Sequence, residues 1–240
     1  VLLLLLDNQG KLTDTEGVFK RLQAFPFWLI IPVAVCQTLV ILFRFIEWHY
    51  YIGVIGAKGK ISLLDSAVIH ISGFMMVVSP GKAAELLKAV FLKAKTGIPI
   101  ARGMPVVIAE RIVDGIAVIV IMVITLVLAG DNLDLGEYDS ISRLIIYSAA
   151  GLIAAGLIII QIQPLAYFCL SLVKVIPMIN RLYDHLVEFY ESSREIFQLK
   201  HVIPMSIVGV GVYGASAVGF VIILLGFGFE FSWQLFLQTT

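Results

Sequence analysis

Residues 100–129 read IARGMPVVIAERIVDGIAVIVIMVITLVLA. The run is longer than the roughly 20 apolar residues that cross a bilayer as a helix. Beyond Asp114 it carries no charge, but its first half holds Arg102, Glu110, Arg111 and Asp114. A charge at the centre of a membrane helix costs about 2.5–3.5 kcal/mol, so such groups face protein partners or a water-filled cavity. A helix of this kind needs other membrane helices around it. That requirement predicts a bundle.

The rest of the chain supplies them. Of 240 residues, 60% are hydrophobic and 14% are charged, against about 25% charged in an average soluble domain. The apolar residues fall in blocks separated by short polar loops, which predicts a single transmembrane domain over 1–240, in the cell membrane and multi-pass. With 17 basic and 17 acidic residues there is no basic surface to neutralise phosphates, so nucleic acid is excluded as a partner. Cys36 and Cys169 each sit in an apolar block. They read as small buried hydrophobes, and no metal, nucleotide or nucleophile motif is present. No cofactor is expected. The chain begins inside an apolar run, Val1–Leu6, and stops as a new segment starts, which reads as a fragment of a longer protein.

Around 100–129 the blocks are 27–46, flanked by Trp28 and Trp48 as interfacial aromatics; 61–79, spotted with Ser62, Asp65, Ser66, His70 and Ser72; 142–160; 161–177; and 201–227. Residues 49–60 read as a loop and 178–200 as an interfacial helix. Small residues in 142–160, including Gly151 and Gly156, suit close helix packing and are compatible with a membrane oligomer. Basic residues in 93–102 and 161–200, and their absence from the acidic loop 130–141, put the first two regions in the cytoplasm. Loops 7–25 and 44–60 carry three basic residues each and stay ambiguous. Ser79-Pro80-Gly81 is a good hairpin tip, so 61–95 is expected to enter the membrane and turn back, enclosed by the other spans. A span followed by Ile61-Ser62, and a later span followed by Phe231-Ser232, point to an inverted repeat. The fold class is all-α: a polytopic transmembrane helix bundle with a re-entrant helical hairpin.

Two charged runs interrupt the apolar blocks. In the first, Ser79 suits an N-cap and Pro80 the first helical position. The free N–H groups of that helix start would attract an anion. Lys82, Glu85 and Lys88 follow at spacings of three on one face. In the second, Glu110 and Asp114 share a face with Arg111 beside them. The candidate substrate-binding residues are therefore Ser79, Pro80, Gly81, Lys82, Glu85, Lys88, Glu110, Arg111 and Asp114. A contact of Lys82 or Lys88 with Glu110 or Asp114 would satisfy both runs. A plain alternative is an ion pair that fixes helix register. His70 reads as a buried, satisfied histidine, Asp65 as a helix start and His185 as solvated.

The pattern Pro80-Gly81-Lys82-x-x-Glu85-Leu86-Leu87-Lys88, then Thr96-Gly97, then Glu110-Arg111-x-x-Asp114, resembles the transmembrane region of lysylphosphatidylglycerol synthases and flippase-like membrane proteins. Ala84 stands where that pattern has Gly. The resemblance implies a bundle of about eight helices with re-entrant segments. It also implies movement of a lipid or lipid-linked head group, phospholipid or polyprenyl-linked, between leaflets. Translocation is the leading expectation. The alternatives are a membrane enzyme using Glu85, Glu110 or Asp114 as acid or base, and a scaffold for a partner enzyme.

Overall fold

The computed structural model describes residues 22–75, 86–129, 139–174 and 182–231. Among these residues every regular element is helical. After a 3-10 turn at Phe27–Leu29, α1 runs Ile30–Ile52 and continues as a π-helical turn, Gly53–Ala57. Then come α2 (Leu63–Met75), α3 (Leu87–Thr96), α4 (Ile100–Ala129), α5 (Asp139–Gln161), α6 (Gln163–Lys174), α7 (Tyr183–Ile196) and α8 (Leu199–Gly226). Three helical stretches are long and apolar enough to cross a bilayer: Phe27–Ala57, Ser140–Gln161 and Leu199–Gly226. α4 has the reach, about 45 Å at 1.5 Å per residue. On α5 the outward residues include Leu144, Leu152 and Ile158, all exposed. An apolar outer face of this extent belongs against acyl chains rather than water.

Helix boundaries follow local chemistry. The first span was expected to end at Ile46 with a loop over 49–60; instead the helix continues to Ala57. It stops where Gly56 (φ 93°) and Gly59 (φ 78°) take up left-handed backbone, a conformation glycine adopts without steric cost. Ser62 caps α2: its Oγ accepts from the Asp65 N–H at 3.0 Å and donates to Asp65 Oδ2 at 2.9 Å, confirming Asp65 as a helix start. Hydrogen bonds from Lys95 and then Ser62 hold the Asp65 carboxyl below the usual carboxylate range. α3 ends at Gly97 (φ 75°), whose N–H returns to Lys93 O, and Pro99 follows as a stop.

The chain divides into two compact units, residues 1–40 with 214–240, and residues 41–213. In the first, Cys36 is buried and lies 3.3 Å from where a Cβ on Gly219 would stand. Phe25 stacks on Phe227 with ring centroids 5.0 Å apart. In the second, the core gathers Trp48, Tyr51, Ile55, Leu92, Val106 and Ile196. Trp48, expected at the membrane boundary, has no exposed surface. The longer α1 carries it inward. Trp28 does remain exposed. Cys169 is exposed on α6, unlike the expectation for it.

Contacts inside the second unit fix which segments share an end. Lys95 at the close of α3 bonds Asp65 at the start of α2 (2.8 Å). The Lys88 side chain passes over Gly73 farther along the pair. Helices α2 and α3 are thus antiparallel, and α2 begins where α3 finishes. Arg102 meets Glu195 (3.2 Å), and Ser192 Oγ donates to Arg102 O (2.8 Å). Tyr50 OH bonds His201 Nδ1 (2.8 Å). The previously ambiguous segment around 53–62 therefore lies with 95–102 and 192–201. The hairpin tip, 76–85, and Ser232 onward, on which the re-entrant turn and the inverted repeat depended, fall outside the described residues. The region read as an interfacial helix holds α7, one face of which, with Tyr190, Ser192, Ser193 and Ile196, is buried against neighbouring helices. His185 on its outer side is exposed, as expected.

Close helix approach rests on a few glycines. A Cβ on Gly209 would stand 3.1 Å from Ala117 Cβ and 3.3 Å from Val113 Cγ1. Overpacking a fitted contact costs about 1–3 kcal/mol. Gly209→Leu is expected to lower the thermal unfolding midpoint of the detergent-solubilised protein by several degrees. Gly214→Leu, where a Cβ meets nothing within 4 Å, should leave it nearly unchanged.

Candidate functional site

Six charged side chains converge inside the second unit, from three helices. α4 supplies Glu110, Arg111 and Asp114. α3 supplies Lys88, and α1 supplies Arg44 and Glu47. Lys88 is buried among apolar groups with only its Nζ directed at a partner. It donates to Glu110 Oε2 at 3.1 Å, both side chains being 3% exposed. The same ammonium lies 5.2 Å from the centre of the Trp48 ring, where the ring quadrupole attracts a cation. The expected contact between the two charged runs is present in this form.

Asp114 is held twice. Arg44 Nη1 donates to both of its oxygens at 3.1 Å, and Arg111 Nη1 reaches Oδ2 at 3.0 Å. The Arg111–Asp114 pair spans i to i+3 on one helix and was legible in the spacing. Arg44, from a helix seventy residues earlier, was not. Glu47 was also missed. It has no exposed surface, and among the described residues no donor reaches either carboxylate oxygen. Oε1 lies 3.4 Å from where a Cβ on Gly209 would stand. The charges acting on it are those of Asp114, Arg44, Glu110 and Arg111. The available signal was Arg44-x-x-Glu47, two opposite charges on one helical face once the helix runs past Ile46.

His70 is buried, its ring facing Phe45 (5.9 Å) and Trp48 (6.3 Å). Ser79, Pro80, Gly81, Lys82 and Glu85 lie outside the described residues, so the cluster stands on Lys88, Glu110, Arg111 and Asp114 of the expected set. Among the described residues no group of three or more His, Cys, Asp or Glu could hold a metal.

Two cavities lie in the same unit. One, about 390 Å³, sits at the end shared by α1 and α8 and is lined by His49, Tyr50, Lys58, Ile61 and His201. The other, about 440 Å³, is an apolar groove between α4, α5 and α8, lined by Ile116, Val120, Ile153, Leu157, Ile203 and Ile207. It begins two residues beyond Asp114 on α4. Paired charges beside an apolar groove can accommodate a polar head and its hydrocarbon tail together.

Removing one partner of a buried pair strands the other, at about 3–5 kcal/mol. Glu110→Ala should therefore destabilise the protein strongly in detergent. Lys88→Met with Glu110→Leu, which removes both charges at similar volume, should recover most of the loss, read by thermal unfolding.

No curated protein and no solved structure matches this chain. The family model described as the lysylphosphatidylglycerol synthase TM region matches residues 1–240, the whole of it. With apolar spans, a buried charge cluster and an adjoining groove, the chain is a membrane protein linked to lipid handling, and it belongs to the lysylphosphatidylglycerol synthase transmembrane-region family.

Proposed function

We propose that this protein moves a lipid or lipid-linked anionic head group between bilayer leaflets. The observation that carries the reading is the charge cluster at Lys88, Glu110, Arg111, Asp114 and Arg44, held inside apolar helices. A purely structural bundle gains little from such groups, because apolar residues of similar volume stabilise as well or better. A polar path through the bilayer needs them.

In this reading the head group enters at Ser79-Pro80-Gly81, with Lys82 and Lys88 compensating its charge. Glu110, Arg111 and Asp114 line the path or hold it shut, and the groove beside Ile116 and Val120 receives the tail. The end bearing Lys58, Lys60, Lys95, Arg102 and Lys200 faces the cytoplasm of a cell membrane by its excess of basic residues. The segment 61–95 then enters from that side and returns to it. The antiparallel packing of α2 and α3, which puts Asp65 and Lys95 at one end, is compatible with the re-entrant form.

Reconstitution into vesicles tests this. Labelled phosphatidylglycerol is expected to cross faster with the protein than without it. Lys82→Ala is expected to slow crossing by about tenfold, the effect of about 1.4 kcal/mol. The Lys88→Met, Glu110→Leu double variant should fold and not translocate. Unaltered crossing in both variants would remove the reading. A chemically changed lipid recovered from the vesicles would replace it with a membrane enzyme.

A further inference from the structure

Glu47 is the one carboxylate of the cluster that the reading above leaves without a task. Glu110 is paired with Lys88, and Asp114 is paired with Arg44 and Arg111. Glu47 has no exposed surface, and among the described residues no donor reaches its oxygens. An ionised carboxylate without donors in an apolar interior costs several kcal/mol. As an acid the same group is neutral and fits a position beside Gly209, where Val113 and Ala117 also pack.

The charge balance of the cluster turns on that proton. Arg44, Lys88 and Arg111 bring three positive charges; Glu110 and Asp114 bring two negative ones. With Glu47 ionised the sum is zero. With Glu47 protonated one positive charge is left over, which is the charge that a singly anionic phosphodiester head group would neutralise. Binding the anion and binding the proton are therefore mutually supportive.

A second arrangement is close at hand. Arg44 and Glu47 are three residues apart on α1 and share a face. In the structure the guanidinium of Arg44 faces Asp114. Turned to Glu47 instead, it would stabilise the carboxylate, and Asp114 would retain Arg111. The other groups of this network are Tyr51 on α1, Lys88 on α3, Tyr213 on α8, and His70 on α2. None of them stands between Arg44 and Glu47 in sequence or helical register.

We propose that Glu47 is a proton-carrying site, and that one proton moves with each singly anionic head group. A proton from water binds a Glu47 carboxylate oxygen as the head group enters. It returns to water on the other side as the head group leaves and Arg44 turns from Asp114 to Glu47. No bond other than the acid O–H is made or broken. The inference rests on the translocation reading and adds its substrate class and driving force.

The full chain is reconstituted in vesicles containing trace labelled phosphatidylglycerol and an internal pH dye. With one proton per lipid, a gradient of one pH unit biases the leaflet distribution by up to about tenfold. Internal pH should move with phosphatidylglycerol and stay still with phosphatidylcholine, which carries no net charge. In Glu47→Gln the ratio of distributions with and without the gradient should fall to about one. A wild-type protein that moves phosphatidylglycerol to the same distribution with and without the gradient overturns the coupling and leaves translocation standing. A separate measurement needs no transport. The infrared spectrum at neutral pH, taken with phosphatidylglycerol bound, should show a protonated carboxylic carbonyl band that disappears in Glu47→Gln, and its absence from the lipid-bound wild type overturns the proton site. If no lipid crosses, translocation and coupling both fail, and the infrared band alone decides whether Glu47 carries a proton.

Discussion

The structure depends on how charges are satisfied inside helices that must be apolar. Lys88 and Glu110 form the most deeply buried example, an enclosed ion pair whose ammonium lies over the face of Trp48. For the ammonium to arrive there, α3 must pack closely on α4 and α2 must leave room for its stem. Gly73 provides that room, since a Cβ there would collide with the Lys88 side chain. Gly103 does the same for α3 against α4, where a Cβ would sit 3.2 Å from Ala89. The glycines, α2, α3 and the buried pair form one construction.

That construction explains why the three-residue spacings matter more than overall hydropathy. Asp114 accepts from Arg111 on its own helix and from Arg44 on another, so it ties α4 to α1. Glu110 ties α4 to α3. The helix in the middle, α4, carries both carboxylates on one face, and each binds a different neighbour. Shifting either by one position would turn it about 100° away from its partner and leave a cation buried without an anion. Such a network holds the register of three helices. It also has alternatives within reach, because Arg44 has Glu47 on its own face.

Family membership and geometry point the same way without repeating one another. The family match covers the entire chain and ties it to lipid handling. The geometry adds which groups lie inside: a charge cluster, an apolar groove beginning beside Asp114, and a basic end formed by segments far apart in sequence. Arg102 to Glu195 and Tyr50 to His201 bring those segments together.

By itself the sequence determined the setting, the all-α class and the position of the principal charged run. Apolar blocks of bilayer length, and carboxylates four residues apart, are local properties that a single stretch displays. α4 occupies the limits the sequence implied, Ile100–Ala129, and a contact of Lys82 or Lys88 with Glu110 or Asp114 followed from the need to neutralise both runs, the structure showing Lys88 on Glu110. Only the tertiary structure decided that Arg44 and Glu47 belong to the same cluster, that Trp48 is a buried platform rather than an interfacial anchor, and that the segment around 53–62 shares an end with α7. Those facts hinge on α1 running on to Ala57 instead of ending at Ile46. Nothing local forbids a helix from stopping after an apolar block. It continues here because Trp48, Tyr51, Ile52 and Ile55 find burial against helices that come much later in the chain, a gain invisible until those helices are in place.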